Sequence, residues 1–374
     1  MIERKAIPVA QPILGGNERK YVLECLDSGW ISSIGRFIGL FEDSFARFCA
    51  TSYGIACNNG TTALHLALAA LATGPGDEII VPTLTYVATA NAVLYCGARP
   101  VFVDSDPETM TMDVSLLEEA VTERTKGIIV VHLYGHPVDM NPVLEVARRC
   151  GLFVIEDAAE AHGALYEGRP VGSIGQAGTF SFYGNKIISS GEGGMVTTSD
   201  AELRARLCLL RGQGMDPQRR YWFPVVGYNY RMTNVAAAIG LAQLEQVDHF
   251  LETRRSIALI YENHLNELRE FLVLPIEKPW AKHVYWSYPV LLRDSVRTDR
   301  DGIMKHLEQD GIDTRPVFYP MHTLPAYAGG PGSFPVAERL AARGFCLPMH
   351  CLLTEEDIQY ISGRLAHWCA CSGD

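Results

Sequence analysis

From residue 54 to residue 198 the chain alternates short apolar runs with longer amphipathic segments. The runs are Gly54–Cys57, Glu78–Val81, Pro100–Val103, Gly127–Val131, Leu152–Ile155, Gly178–Ser181 and Met195–Thr198. Their apolar character is continuous rather than alternating, which predicts strands covered on both faces. Helical periodicity fills most of the gaps, at Thr61–Leu71, Val87–Cys96, Ser115–Val121 and Asn141–Cys150. Strand and helix in turn predict an α/β fold, a mostly parallel seven-stranded sheet with helices on both faces. Only the last two runs are joined without a helix, so one strand is expected to be antiparallel.

The flanks read differently. Residues 1–50 start irregularly around Pro8 and Pro12, after which Asn17 is placed to cap a helix over Glu18–Leu26. Gly29–Gly39, GWISSIGRFIG, predicts a loop, yet its large apolar groups require it to pack under another element or line a pocket. A long helical pattern from Thr233 to about Leu268, weakly interrupted at Gly240, is expected to bridge two units. Beyond Pro275 come a strand at His283–Leu292, a capped helix at Thr298–Asp310, a strand at Thr314–Phe318, and helices at Phe334–Arg343 and Thr354–His367. These predict a large domain over 1–245 and a smaller α+β domain over 246–374.

Composition narrows the class. The 374 residues are 48% hydrophobic and 20% charged, as in soluble globular enzymes. No apolar run reaches the roughly 18 residues of a membrane span, and Met1–Pro8 lacks signal-peptide character, so a cytoplasmic protein without a membrane partner is expected. A net charge of −11 argues against general nucleic-acid binding, while Arg211, Arg219, Arg220 and Arg231 concentrate positive charge locally for a small phosphorylated ligand. The ten cysteines show no zinc-type spacing, so no metal is expected and most read as buried small hydrophobes in a reducing compartment. Cys369 and Cys371 read as part of a frayed tail.

The stretch Thr179–Gly194, TFSFYGNKIISSGEGG, holds Lys186 on a bend between Gly184 and Ser189–Ser190–Gly191, just past a buried strand. A lysine so placed faces a cleft, and partial desolvation favours the neutral amine that adds to carbonyls. A solvated loop lysine is the commoner fate, and the neighbours decide against it. The buried run Leu152–Ile155 ends in Glu156–Asp157, where an acid at a strand's carboxyl end can anchor a cation. Asn59–Gly60–Thr61–Thr62 lies at a strand-to-helix junction, whose free N–H groups suit a phosphate, although a plain cap explains Thr61 equally well.

An acid after a buried strand, FSFYGNK, and then GEGG resemble the DegT/DnrJ/EryC1/StrS family of sugar aminotransferases. The likeness runs from GGNERKYVLEC near residue 15 to Pro316–His322. It implies a type I aspartate-aminotransferase-like fold and pyridoxal 5'-phosphate, with pyridoxamine phosphate in turnover. By that resemblance Lys186 is the catalytic residue, forming the internal aldimine and then moving the proton. Asp157 pairs with the pyridine nitrogen, Gly60, Thr61, Thr62 and Ser181 hold the phosphate, Tyr86 stacks on the ring, and Glu160 approaches its hydroxyl where many relatives carry glutamine. Asn229, in VGYNYRMTN, reaches the cofactor of a neighbouring subunit, which implies a homodimer with shared active sites.

The substrates implied are L-glutamate and a nucleotide-linked keto-sugar, met by Trp30, Ser32, Ser33, Tyr183, Arg219, Tyr319 and His322. Arg315 is a further candidate, and His132 and His136 are placed to approach the cofactor. The combination of WISSIGRF, ACNNGTTALHLAL, GEGGM and RGQGMDPQRRYWFP points within the family to amination at C4 of GDP-4-keto-6-deoxy-D-mannose, for surface polysaccharide. A UDP- or dTDP-linked 4-keto or 3-keto sugar is the main alternative. A sugar 3-dehydratase of this fold would carry histidine in place of Lys186. A non-catalytic regulator that binds the cofactor would keep Lys186 and Asp157, but the chain leaves no room for a DNA-reading domain.

Overall fold

The computed structural model describes residues 6–328 and 332–370. The first five residues and Cys371 lie outside the described residues, and with them part of the segment read against a signal peptide and half of the C-x-C pair. All seven apolar runs form strands: β1 Tyr53–Cys57, β2 Glu78–Pro82, β3 Arg99–Val103, β4 Thr125–Val131, β5 Phe153–Asp157, then, after two short strands β6 Leu165–Tyr166 and β7 Arg169–Pro170, β8 Ala177–Ser181 and β9 Gly194–Thr198. They build one sheet in the order β1-β9-β8-β5-β4-β2-β3, parallel except that β9 runs antiparallel to both its neighbours.

Continuous apolar strands need cover on both faces, and successive residues show it. Ile129 and Ile155 pack against one layer, with α3 Gly60–Ala70, α4 Ala88–Tyr95 and α7 Ala201–Arg211. Ile128, Val130 and Val154 pack against the other, with α1 Glu18–Ser28, α2 Arg36–Phe48, α6 Met140–Cys150 and α8 Asn234–Leu244. A short helix α5, Leu117–Ala120, precedes β4. Helix α7 has no counterpart in the sequence reading, although Asp200 capping the N–H groups of Glu202 and Leu203 was a usable signal.

Three expectations in this half are corrected. Residues 36–39 are helical rather than loop, because Phe37, Phe41 and Phe45 recur every fourth position and bury one face of α2 completely. Phe45 meets Phe180 at 4.8 Å and Phe182 at 5.1 Å between ring centroids. Asn17 stands at the cap position, but its side chain makes no capping bond and donates instead to Glu245 at 2.7 Å. The long helix is two helices, α8 and α9 Val247–Leu265, and its break falls at Glu245–Gln246 rather than Gly240. There Gln243 and Gln246 both donate to buried Glu18. Gly240 serves close approach instead, for a Cβ on it would sit 2.7 Å from the Phe41 ring.

The remaining chain forms the strands β10 Leu272–Val273, β11 Ala281–Lys282, β12 Tyr288–Leu292, β13 Arg315–Pro316 and β14 Gly344–Leu347. Its helices are α10 Arg300–Gln309, α11 Pro335–Arg343 and α12 Glu355–Ala370. An antiparallel sheet, β10-β12-β14-β13, shares a core with α9, α10 and α12, while β11 joins β6 and β7. The strand expected over His283–Leu292 shrinks to β12. Residues 283–286 cross back to the large half instead, where Val284 N–H donates to the Gly135 carbonyl and Trp286 Nε1 to the Asn185 carbonyl. In return, Asp104 caps α11 through the N–H groups of Val336 and Ala337. Among the described residues no helix is long and apolar enough to cross a membrane.

Phe45→Ala should lower unfolding stability by about 3–5 kcal/mol, the usual cost of a large aromatic lost from a core. Chemical denaturation checks this, and a loss near zero would mean that α2 does not carry the core.

Candidate active site

The carboxyl ends of β1, β2, β4, β5 and β8 open into a cavity of about 450 Å3, and residues 286–287, 315–316, 318 and 346 wall its far side. Ligands of open α/β sheets gather at this edge because strand-end loops and helix N-termini converge there.

At one end is the start of α3. Asn59 Oδ1 accepts the N–H of Thr62 at 2.9 Å, and the Thr62 hydroxyl donates to Asn58 Oδ1 at 2.6 Å. That capping box leaves the N–H groups of Gly60 and Thr61 without a hydrogen bond among the described residues, at the positive end of an 11-residue helix. Ser181, at the end of β8, closes the cradle, and a Cβ on Gly60 would lie 2.7 Å from the Ser181 Cβ. Two open N–H donors, a hydroxyl and a helix N-terminus fit a phosphate. Thr62, expected to join them, does not line the cavity, since both its donors are used in the cap.

In the middle, two carboxyls and one amine share a buried space. Asp157 accepts from the Thr89 hydroxyl at 2.8 Å and from Ala159 N–H at 3.2 Å. Glu160 accepts Tyr134 N–H at 2.9 Å and lies 3.4 Å from Lys186 Nζ. The Lys186 amine stands 3.9 Å from the centroid of the Trp286 ring. Burial pushes the carboxyls of Asp157 and Glu160 up and the amine of Lys186 down, and their mutual attraction does not cancel it. The amine is thereby drawn toward its nucleophilic neutral form. Asp157, ionised only at a cost, gains from a cationic heterocycle beside it. The acid, the amine and the phosphate cradle fit pyridoxal phosphate.

Below this floor, Glu156 accepts the N–H groups of Gly172, Ile174 and Gly175 and pairs with His132 at 3.1 Å. Val138 N–H donates to His132 Nδ1, so the proton facing Glu156 is on Nε2. His132 therefore braces β5 instead of meeting the cofactor. His136 is likewise absent from the cavity. It is bonded to the Pro137 carbonyl and to Lys278 N–H, and burial pushes its ring down to about 4.

Gly60, Thr61, Tyr86, Asp157, Glu160, Ser181, Tyr183 and Lys186 thus line one cavity, as does Arg315. Tyr86 is 57% exposed there rather than in the core. The other candidates lie elsewhere in this chain. Asn229 is exposed and accepts from Arg231. Trp30 and Ser32 give their carbonyls to Asn234, and neighbouring Ser33 does not line the cavity either. Arg219 lies over Trp222, and Arg211 is committed to Glu42 and the Ala56 carbonyl. Tyr319 accepts from Arg300, and His322 bridges Thr83 and Glu338. Sequence reasoning missed Trp286, Thr89 and Tyr134, whose roles come from contacts distant along the chain. Among the described residues no cluster of His, Cys, Asp and Glu could hold a metal ion.

A family model described as the DegT/DnrJ/EryC1/StrS aminotransferase family matches residues 12–366. The chain belongs to that family. Its fold is that of the family's structures, and with membership come amino transfer as its activity and pyridoxal phosphate as its cofactor. The GDP-perosamine synthase of Caulobacter vibrioides is 56% identical over 98% of this chain and 99% of its own. That of Escherichia coli O157:H7 is 51% identical over 96% and 97%. Among solved structures, S. venezuelae DesV in complex with a ketimine intermediate superposes with a TM-score of 0.88, at 37% identity, covering 94% of both chains.

In this aminotransferase the Thr89 bond helps keep Asp157 ionised. Thr89→Val removes it and raises the carboxyl further. The family resemblance gives the ionised form to the ring nitrogen; on that assignment cofactor affinity should fall as pH drops through the raised value, and should do so at higher pH in the variant. At neutral pH the loss should be roughly tenfold or more, as for a hydrogen bond to a charged group. Equilibrium dialysis against pyridoxal phosphate across pH measures it, and superimposable profiles would exclude the role.

Proposed function

We propose that this aminotransferase takes nitrogen from L-glutamate and delivers it to C4 of GDP-4-keto-6-deoxy-D-mannose, making GDP-perosamine. End-to-end identity with two enzymes of that name supports the sugar. The desolvated Lys186 amine between Glu160 and Trp286 is the observation that carries the chemistry. The bound cofactor supplies an electrophilic carbon and a ring able to take up an electron pair. Gly60, Thr61 and Ser181 would hold its phosphate, Asp157 would pair with its nitrogen and Tyr86 would stack on its ring. Lys186 Nζ, once neutral, takes a proton from the carbon bearing the amino group and returns it across the site. Glu160 orients that amine, while Trp286 and Phe318 keep water from it. Donor and acceptor would use the same lysine in turn, and the kinetics would be ping-pong because the cofactor would keep the nitrogen after the donor has left.

Incubation with glutamate and keto-sugars carrying GDP, UDP or dTDP tests this. Turnover is expected with the GDP sugar, and Lys186→Ala should abolish both turnover and the yellow colour. A UDP or dTDP sugar consumed while the GDP sugar stays inert would replace the substrate assignment.

We further infer that the enzyme works as a homodimer in the cytoplasm, where its cysteines, none of them in a disulfide among the described residues, stay reduced. Tyr221, Trp222, Phe223 and Val226 are 73%, 51%, 51% and 92% exposed, and Trp30, Ile31 and Ile34 add a second apolar surface. Surfaces of this kind are covered by partners. The first of them leads into Asn229, which the family resemblance sends to a second subunit. Sedimentation should report a dimer, and Val226→Asp should yield monomers with reduced turnover. A wild-type monomer with full activity would refute the assembly.

A further inference from the structure

Arg315 sits on the small-half wall of the cavity at the start of β13, paired across the sheet with Cys346, which lines the same wall. Lys186 and Arg315 are the cavity's only cations among the described residues. Lys186 is committed to Glu160. Arg315 is exposed to the cavity, and no carboxylate lies within ion-pair distance of it among the described residues. Its field is nonetheless felt at Lys186, whose amine, lowered chiefly by burial, is lowered further by this guanidinium. An unpaired guanidinium facing a cavity beside the reacting amine is built for an anion.

Resting on the proposed reaction, we infer that Arg315 is the anchor for the α-carboxylate of the amino donor. The chemistry of the two substrates decides this. In an amino acid the carboxylate is attached to the very carbon that carries the nitrogen, so it must lie beside Lys186 Nζ while that nitrogen is being moved. In a 4-keto-6-deoxy sugar the neighbours of the reacting carbon are neutral, a hydroxyl at C3 and a methyl-bearing C5. The diphosphate hangs from C1, across the ring. A cation close enough to act on Lys186 therefore serves the donor rather than the nucleotide. The phosphate of the cofactor has its own site at the start of α3. Planar guanidinium matches carboxylate with two parallel N–H bonds, which fixes the donor's orientation as well as its affinity.

The two half-reactions separate the roles. Mixing the yellow protein with glutamate alone follows donor use through loss of the visible band, and mixing the pyridoxamine form with keto-sugar follows its return. Arg315→Met should raise the glutamate concentration needed for half-maximal conversion about 10- to 100-fold, the range of a hydrogen bond to a charged group, and Arg315→Lys should recover part of it. The penalty should fall on the glutamate half-reaction. L-Isoglutamine, whose α-carboxylate is an amide, should already be poor with the wild type, and Arg315→Met should make it little worse, because donor and variant each delete the same contact. Binding of α-methylglutamate, which has no proton to lose, gives a readout independent of turnover, and its dissociation constant by calorimetry should rise by the same factor. Equal losses with glutamate and isoglutamine, or a penalty confined to the sugar half-reaction, would overturn the assignment. A wild type that glutamate never bleaches would instead fail the proposed function itself.

Discussion

Everything in the site depends on taking one amine out of water. Lys186 Nζ has an aromatic face on one side and a carboxyl on the other, and burial outweighs the attraction between the charges. Had the pair been exposed, solvent would have screened it and the lysine would have stayed protonated, useful as a tether and useless as a base. The strands, the bend and the second half of the chain serve to enclose that group without leaving it unpartnered.

Enclosure explains why a second sheet meets the first at the site. The parallel sheet alone supplies a floor and one rim, with Asp157 at the end of β5 and the phosphate cradle at the start of α3. It offers no lid. The lid is brought by residues 284–287, which leave the smaller half, bond to Gly135 and to the Asn185 carbonyl, and lay Trp286 over the lysine. Asp104 capping α11, and His322 lying between Thr83 and Glu338, tie the halves together on another side of the cleft. His322, expected in the sugar pocket, thus takes part in the joint that shapes the cleft.

The parts of the fold that could be read in advance are those governed by local pattern. Seven uninterrupted apolar runs had one use, strands buried on both faces, and their ends were right to within a residue or two. The chemistry of Lys186 and Asp157 was readable because strand ends in such sheets face the same cleft. Long-range geometry was not readable. Trp286 looked like a strand residue because His283–Leu292 alternates, and only the crossing to Gly135 takes it out of the sheet. Asn17 looked like a cap, but Glu245, far along the chain, captures its side chain. Phe37 looked like a loop residue because Gly35 and Gly39 flank it, whereas the stripe it forms with Phe41 and Phe45 had the correct period.

The lid's rigidity has its own physical source in Arg254. Its guanidinium is buried and, among the described residues, paired with no carboxylate, and burial pulls its pKa below the ordinary arginine value. A charge in that position is costly unless its donors are satisfied. One nitrogen, Nη1, is held by three carbonyls, those of Tyr285, Trp286 and Met349, whereas Nε is left without a hydrogen bond among the described residues. Two of those carbonyls belong to the segment that carries the lid, where Tyr285 already adopts a positive φ of 48°. Backbone in that conformation needs outside support. The buried cation supplies it, converting a strained crossover into a fixed platform for Trp286. A neutral side chain of similar size would leave all three carbonyls without a donor, and the tryptophan would lose the constraint that keeps it over Lys186.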